Sequence, residues 1–148
     1  MPSEKDRNYL GVEANQVTIS EINAELIILE VFNMYCVHCQ AEAPRINSLF
    51  EEVNLLYPSG QVKFIGFGAG NTEMETEVFK GKYKVKFPMI PDQDYRVHKA
   101  LGEPRTPYIL IFIGKGPEMD RVLYRKIARP LETGEIISIL ESNLREKK

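Results

Sequence analysis

A near-continuous apolar run at residues 25–33, ELIILEVFN, limits the possible folds more than any other part of the sequence. Its β-branched and aromatic content favours a strand buried on both faces, as in a parallel or mixed sheet covered by helices. Directly after it, apolar residues recur three and four positions apart between positions 46 and 57. This periodicity predicts an amphipathic helix over about residues 37–57, with Pro44 kinking its first turns.

The remaining patterns continue this alternation of strands and helices. They predict a short strand or turn at 17–22, strands at 61–67, 87–90, 107–113 and 121–128, and helices at 72–84, 94–101 and 131–145. The sequence therefore predicts an α/β fold, in which a central mixed sheet carries helices on both faces. Residues 1–16 are expected to form an N-terminal tail or edge element, and residues 17–148 a single domain.

Chain size and charge exclude several classes of protein. The 148 residues suit one domain and include 19 basic and 21 acidic side chains, for a net charge of −2. Nucleic-acid-binding domains usually have a basic surplus, so nucleic acid is not an expected partner. The longest uninterrupted apolar run, at 108–113, is too short for a membrane span. The polar N-terminus does not resemble a secretory signal, so we expect either a cytoplasmic protein or one from which an export segment was trimmed.

Two cysteines, Cys36 and Cys39, lie at the predicted strand-to-helix junction. The spacing puts both thiols within one helical turn, where they can form a small-loop disulfide. Cys36 is expected to have a lowered pKa, because the unpaired N–H groups and the macrodipole of a helix N-terminus favour the thiolate. Cys39 would then be the resolving thiol, which attacks a mixed disulfide formed on Cys36. A protonated His38 would stabilise the same thiolate and make the disulfide more oxidising.

The stretch LEVFNMYCVHCQAEAPRINSLFEEV, residues 29–53, resembles the active-site strand and helix of the thioredoxin superfamily. More narrowly, it is similar to the TlpA-like thiol-disulfide oxidoreductases. Tyr35 is the aromatic residue before the first cysteine, Glu42 supplies an acid and Pro44 lies five residues after Cys39. The chain has no tryptophan, whereas that family typically has one before the first cysteine.

A second mark of the same superfamily is Thr106-Pro107, at the start of the strand predicted for residues 107–113. The resemblance implies a cis-proline there that faces the redox cysteines, and a Thr106 backbone that is free to pair with an extended substrate segment. It covers roughly residues 17–146. The fold it implies is thioredoxin-like, with the Cys-x-x-Cys at a helix N-terminus near this proline.

Glu30 is an acidic residue inside the apolar strand predicted for residues 25–33. The resemblance implies that it moves protons for Cys39, since many thioredoxins have an acid at this position beneath the second cysteine. Burial should raise the pKa of Glu30, which suits a general base near neutral pH.

The resemblance thus implies a bacterial thiol-disulfide oxidoreductase, with reduction as the expected direction. Cys36 is the expected nucleophile and Cys39 the resolving thiol, while Thr106, Pro107, Tyr35 and Val37 are expected to contact the substrate. Protein disulfides or dithiols are the expected substrates, with a redox partner protein and no cofactor. We expect a monomer, and the family analogy favours an exported, periplasmic protein over a cytoplasmic one.

Three alternatives remain open from the sequence. A strongly lowered Cys36 pKa would favour a disulfide oxidant or isomerase tuned by His38. A metal-binding module would use the two cysteines with a further ligand such as His98, although no second ligand pair has the required spacing. A thiol peroxidase is less favoured, because the proline-threonine-cysteine arrangement of that family is absent.

Overall fold

The computed structural model describes residues 3–12 and 18–144. The strands are β1 (Leu26–Phe32), β2 (Val62–Ala69), β3 (Met89–Asp92), β4 (Tyr108–Ile113) and β5 (Val122–Ile127). The helices are α1 (Glu4–Leu10), α2 (Val37–Leu56), α3 (Glu73–Lys82), α4 (Arg96–Ala100) and α5 (Thr133–Leu144), with a 3-10 helix at Ile19–Glu21.

The described strands form one sheet in the order β3-β2-β1-β4-β5. Strand β1 pairs in parallel with β2 and antiparallel with β4, β3 is parallel to β2, and β5 is antiparallel to β4. The predicted mixed sheet is therefore confirmed, and β4 and β5 form its final hairpin. Because β1 is the central strand, the loop after β1 lies in the middle of one end of the sheet. The two cysteines lie at this position.

Every residue of β1 is buried, as the apolar run predicts. Alternate side chains along a strand point to opposite faces of the sheet. Ile28 and Phe32 join the core beneath α2, α3 and α5, whereas Ile27, Leu29 and Val31 join the core that also includes residues of α1 and α4. Helices thus cover both faces, and Glu30 has the same parity as Ile28 and Phe32.

Several predicted element boundaries need correction. Residues 19–21 form a 3-10 helix instead of the short strand or turn predicted for residues 17–22. Strand β3 runs from Met89 to Asp92 instead of 87–90, because its ladder with β2 begins at the Gly66–Met89 pair. Helix α4 begins at Arg96 instead of residue 94, because Tyr95 has a left-handed backbone with φ of 61°.

Helix α1 belongs to the segment for which a tail or edge element was expected. A capping box between Ser3 and Asp6 begins the helix, and Leu10 at its end is fully buried. The Tyr9 hydroxyl accepts a hydrogen bond of 2.8 Å from the backbone N–H of Phe64 in β2. That N–H lies on a part of β2 that β3 does not reach. Residues 1–2, 13–17 and 145–148 lie outside the described part of the chain.

None of the helices in the described ranges is long and apolar enough to cross a membrane.

Candidate active site

Cys36 is the N-cap of helix α2, as the sequence predicts. Its sulfur accepts a hydrogen bond of 3.2 Å from the backbone N–H of Cys39, so the thiol sits over the free donors of the first helical turn. Its own N–H donates to the carbonyl of Asn33 at 3.0 Å, which closes the loop between β1 and α2. Both cysteines are free thiols in this structure.

Several hydrogen bonds lower the pKa of Cys36 below its ordinary value. Partial burial acts in the opposite direction, because it disfavours a charged thiolate. Hydrogen bonds from the Cys39 thiol, the Thr106 side chain and the backbone N–H groups of Cys39 and His38 outweigh that burial. Cys36 is therefore the thiol that ionises first.

Cys39 is fully buried one turn into the helix. Burial raises the pKa of its thiol, and the hydrogen bond it donates to Cys36 and the nearby Glu30 carboxylate raise it further. A hydrogen bond with the backbone of Asn33 lowers the pKa of Cys39, but the net shift of that pKa is still upward. The two sulfurs thus differ sharply: one is reachable and easily ionised, and the other is enclosed and protonated.

Glu30 lies inside the sheet with only 3% of its surface exposed. Burial raises the pKa of its carboxyl group to about 8. It is close enough to Cys39 for its charge to influence that thiol. The structure therefore brings Glu30 to the resolving cysteine, and the carboxyl group titrates near neutral pH.

Thr106, just before β4, faces Cys36. The Cys36 thiol lies 3.6 Å from the carbonyl oxygen of Thr106, and the Thr106–Pro107 peptide bond is cis. The Arg129–Pro130 bond is also cis. Because β4 begins at Tyr108, the backbone of Thr106 lies outside the sheet ladder.

Tyr35 and Val37 flank Cys36 with side chains that are 68% and 71% exposed. The Tyr35 hydroxyl donates a hydrogen bond of 2.5 Å to Glu75 near the start of α3. The nearby Met74 on the same helix is also exposed. Exposed apolar groups therefore border the reactive sulfur.

His38 and His98 line one pocket beside Thr106. His38 is exposed and contributes its backbone N–H to the surroundings of Cys36. His98 Nε2 donates to the carbonyl of Pro104 at 2.9 Å, which ties α4 to the segment before the cis-proline. Among the described residues, no group of three or more His, Cys, Asp or Glu side chains is arranged to hold a metal ion.

The sequence analysis missed two asparagines that hold the Cys36 loop. Asn33 donates from its side-chain amide to the carbonyl of Ala69 and accepts from the N–H of Tyr35. Asn71 is 1% exposed, and its Oδ1 accepts from the N–H of Met34 at 2.9 Å. Asn71 is packed so closely that a Cβ at Gly68 would lie 2.8 Å from its Oδ1. Their position gave a weak sequence signal: Asn33 is the last residue of the run at 25–33, and Asn71 comes shortly after the strand predicted for residues 61–67.

Glu42 and Pro44, which carried part of the resemblance, both lie on α2. Glu42 accepts a hydrogen bond of 3.2 Å from the backbone N–H of Leu131, the residue after the second cis-proline. Pro44 lies inside the helix and is exposed. Glu42 therefore links the active-site helix to the segment that leads into α5.

Comparison with known proteins identifies the family. The sequence model of the AhpC/TSA family matches residues 5–123, which is most of the chain. The chain belongs to the AhpC/TSA family. Two curated relatives are both named thiol-disulfide oxidoreductase ResA. The Bacillus anthracis protein is 20% identical over 121 residues, covering 82% of this chain and 68% of that protein. The Halalkalibacterium halodurans protein is 27% identical over 101 residues, covering 68% and 55%.

Solved structures of the same fold agree with this assignment. A secreted Mycobacterium tuberculosis disulfide oxidoreductase superposes with a TM-score of 0.62 at 18% identity, covering 80% of this chain and 81% of that one. StoA from Bacillus subtilis superposes with a TM-score of 0.64 at 20% identity, covering 80% and 85%. The predicted thioredoxin-like fold is confirmed. As an AhpC/TSA family member with these relatives and a Cys-x-x-Cys, the chain is a thiol-disulfide oxidoreductase.

Proposed function

We propose that this protein reduces disulfide bonds of other proteins, with Cys36 as the nucleophile and Cys39 as the resolving thiol. One observation carries the proposal: the Cys36 sulfur caps a helix and accepts the Cys39 N–H, while Cys39 itself is enclosed. A partly exposed thiol of lowered pKa next to a buried thiol of raised pKa is the arrangement that makes two successive exchange steps run in a fixed order.

In the first step, the Cys36 thiolate attacks one sulfur of the substrate disulfide. An S–S bond forms between Cys36 and that sulfur, the substrate S–S bond breaks, and the other substrate sulfur leaves as a thiolate. The lowered pKa of Cys36 supports this role, because it raises the thiolate fraction at neutral pH. The carbonyl of Thr106, 3.6 Å away, limits the direction from which a substrate can approach the sulfur.

In the second step, Glu30 takes the proton of Cys39, and the new thiolate attacks the Cys36 sulfur. The second substrate thiolate leaves, and a Cys36–Cys39 disulfide forms. The substrate has then gained two electrons, which the protein dithiol has lost. A Glu30 pKa of about 8 leaves roughly a tenth of the carboxyl group ionised at pH 7. That fraction is available as a base, and the acid form can return the proton when a redox partner protein reduces the disulfide.

Thr106, Pro107, Tyr35 and Val37 bind the substrate segment in this proposal. The Thr106 backbone is outside the sheet ladder, so it can form strand-like backbone hydrogen bonds with an extended substrate segment. The exposed side chains of Tyr35 and Val37 would cover apolar residues next to the substrate disulfide. These groups bind a polypeptide without needing a cofactor.

Replacing each cysteine separately tests the order of attack. The Cys39→Ser variant is expected to accumulate a covalent mixed disulfide with a disulfide-bonded protein substrate, because the second step is blocked. The Cys36→Ser variant should form little of it, because Cys39 is buried. Non-reducing electrophoresis and mass spectrometry measure the adduct. An adduct of equal yield through Cys39 would overturn the assignment, and rapid peroxide turnover by the wild type would favour the thiol peroxidase alternative.

His38 tunes the Cys36 thiolate in this proposal. Its N–H already faces the sulfur, and its imidazole, when protonated, would add a positive charge near it. A stronger effect would make the protein an oxidant or isomerase, because a stabilised thiolate raises the reduction potential.

The secreted Mycobacterium tuberculosis relative supports an extracytoplasmic site of action. We further propose that the protein acts as a monomer, with residues 1–16 accessory to one domain at 17–148.

A further inference from the structure

Next to Thr106 the structure has a pocket of about 390 Å³ whose charged lining is entirely basic. His38, His98, Arg105 and Arg129 contribute to it, and none of the described residues that line it is acidic. The chain as a whole has a net charge of −2, so this concentration of basic groups departs from the average surface. The remaining lining includes polar side chains such as Asn33 and Tyr95.

The two arginines of the pocket are free to bind a ligand. Neither Arg105 nor Arg129 has a side-chain hydrogen bond or ion pair with any residue in the described ranges, and both are exposed. They come from different parts of the chain, one before the cis-proline at 107 and the other before the one at 130. The segment that carries Arg105 is held in place by the hydrogen bond between His98 and Pro104.

The pocket is continuous with the reaction site. Thr106 lines it, and the carbonyl of Thr106 is 3.6 Å from the Cys36 sulfur. His38 also lines it, two residues after Cys36. A substrate segment whose disulfide reaches Cys36 must therefore place its neighbouring residues at or near this pocket.

We propose that this pocket is a specificity subsite for an acidic side chain, Asp or Glu, that flanks the target disulfide of the substrate polypeptide. The planar guanidinium groups of Arg105 and Arg129 match a carboxylate in two-pronged geometry. A carboxylate is also the anion that a polypeptide carries without modification. The inference rests on the proposed function, since it names the substrates that the same dithiol prefers.

Single-turnover reduction of matched peptides tests the inference. The pre-reduced protein is mixed with peptides that contain one internal disulfide and differ only in the two residues flanking one cysteine: Glu-Glu, Gln-Gln or Lys-Lys. The second-order rate constant is measured by the appearance of peptide thiols. We expect the Glu peptide to react about fivefold faster than the Gln peptide at low salt, since exposed charge pairs contribute modestly and act mainly on association. The Lys peptide should be slowest, and salt should reduce the differences.

Variants attribute the preference to the pocket. In the double variant Arg105→Gln, Arg129→Gln, the ratio of Glu to Gln rate constants should fall to about one. The double variant Arg105→Lys, Arg129→Lys should retain part of the preference, because it keeps the charge and loses the planar geometry. Arg125→Gln is the control, because Arg125 is an exposed arginine of β5 outside the pocket, and it should keep the full ratio.

Each remaining outcome contradicts either the acidic subsite or the proposed reductase function. Equal rate constants for the three peptides in the wild type would overturn the acidic subsite and leave the reductase intact. A preference that persists in the double glutamine variant would place the recognition elsewhere and also overturn the subsite. If only glutathione disulfide, with its small-molecule carboxylates, responded to the double variant, the polypeptide subsite would be wrong. Failure to reduce any peptide would contradict the proposed function itself.

Discussion

Glu30 is an ionisable group enclosed in the centre of the sheet, and its proposed role depends on its titration near neutral pH. Replacing it with Gln keeps the shape and removes the base. We expect the second exchange step to slow by about 100-fold at pH 7, the lower end of what a positioned acid or base contributes. Stopped-flow measurement of mixed-disulfide resolution checks this. In the wild type the rate should rise with pH and level off near 8, the pKa of Glu30, whereas the variant should show no plateau there, because the Cys39 thiol then loses its proton directly to solvent.

The control for this variant is Glu52→Gln on the exposed face of α2. It removes a carboxylate that water already solvates, so the rate and its pH dependence should stay as in the wild type. An unchanged resolution rate in Glu30→Gln would show that Cys39 loses its proton by another route.

The same carboxyl group makes stability depend on pH. Its pKa in the folded protein is about 8, above the ordinary value of 4.5, because burial favours the protonated form. The folded state therefore binds more protons than the unfolded state between these values. The contribution of Glu30 to the free energy of unfolding is greatest below about pH 4.5 and is lost as pH rises through 8, by the order of a few kcal/mol. Urea unfolding across this range should show the decline in the wild type and a much flatter profile in Glu30→Gln, and parallel profiles would contradict the buried-acid assignment.

The Cys39 thiol donates a hydrogen bond to Cys36, and that bond helps to lower the pKa of the nucleophile. Cys39→Ala removes the donor, whereas Cys39→Ser keeps a hydroxyl donor at the same place. We expect the pKa of Cys36 to be higher in the alanine variant than in the serine variant. Ultraviolet absorbance of the thiolate, followed against pH, gives both values. Identical values in the two variants would mean that the Cys39 side chain does not stabilise the Cys36 thiolate.

Individual residues were predictable where their chemistry is local. Cys36, Cys39 and Glu30 stand out because thiols three residues apart and an acid in an apolar strand are rare patterns. Asn33 and Asn71 could not be found in this way. Their side chains bond to backbone groups far away in sequence, such as Ala69 and Met34, and nothing in the local sequence distinguishes them from ordinary loop asparagines.

A hydrogen bond to the side chain of Tyr9 joins helix α1 to strand β2. The Tyr9 hydroxyl accepts the otherwise unpaired N–H of Phe64, and burial raises the pKa of Tyr9 to about 12. Tyr9→Phe leaves that N–H without a partner, which costs about 1–3 kcal/mol. Urea unfolding should show a loss of that size.

Tyr57→Phe is the matched control, because the Tyr57 hydroxyl makes no hydrogen bond to a residue in the described ranges. Its stability should change by less than about 0.5 kcal/mol. Equal losses in the two variants would mean that the Tyr9 hydroxyl does not hold the helix on the sheet.

Elements with strong periodicity were predicted well, and those fixed by tertiary contacts were not. Strand β1 and helix α2 follow from apolar patterns that leave few alternatives. Thr72 begins the helix predicted for residues 72–84, and it forms a full capping box with Glu75. The start of β3 depends on where β2 offers a partner, and the start of α4 depends on the left-handed Tyr95. Neither of these two boundaries is determined by the residues of the element itself.

At the scale of the whole molecule, the fold brings together groups that are far apart in the chain. Central strand β1 contains Glu30, and Cys36 and Cys39 lie at the start of α2, after that strand. Thr106 and Pro107 come directly before β4. The antiparallel pairing of β1 with β4 puts the end of one strand beside the start of the other. The resemblance to a known superfamily predicted this convergence, which residue spacing alone could not.

The reduction potential of the Cys36–Cys39 pair tests the central claim most directly. The protein would be equilibrated in dithiothreitol or glutathione redox buffers, and the fraction of dithiol measured by alkylation and mass spectrometry. A protein-disulfide reductase should show a reversible two-electron couple near the thioredoxin value of about −270 mV. A potential above about −180 mV would contradict the reductase and favour an oxidant or isomerase. The absence of a reversible disulfide would contradict dithiol exchange altogether.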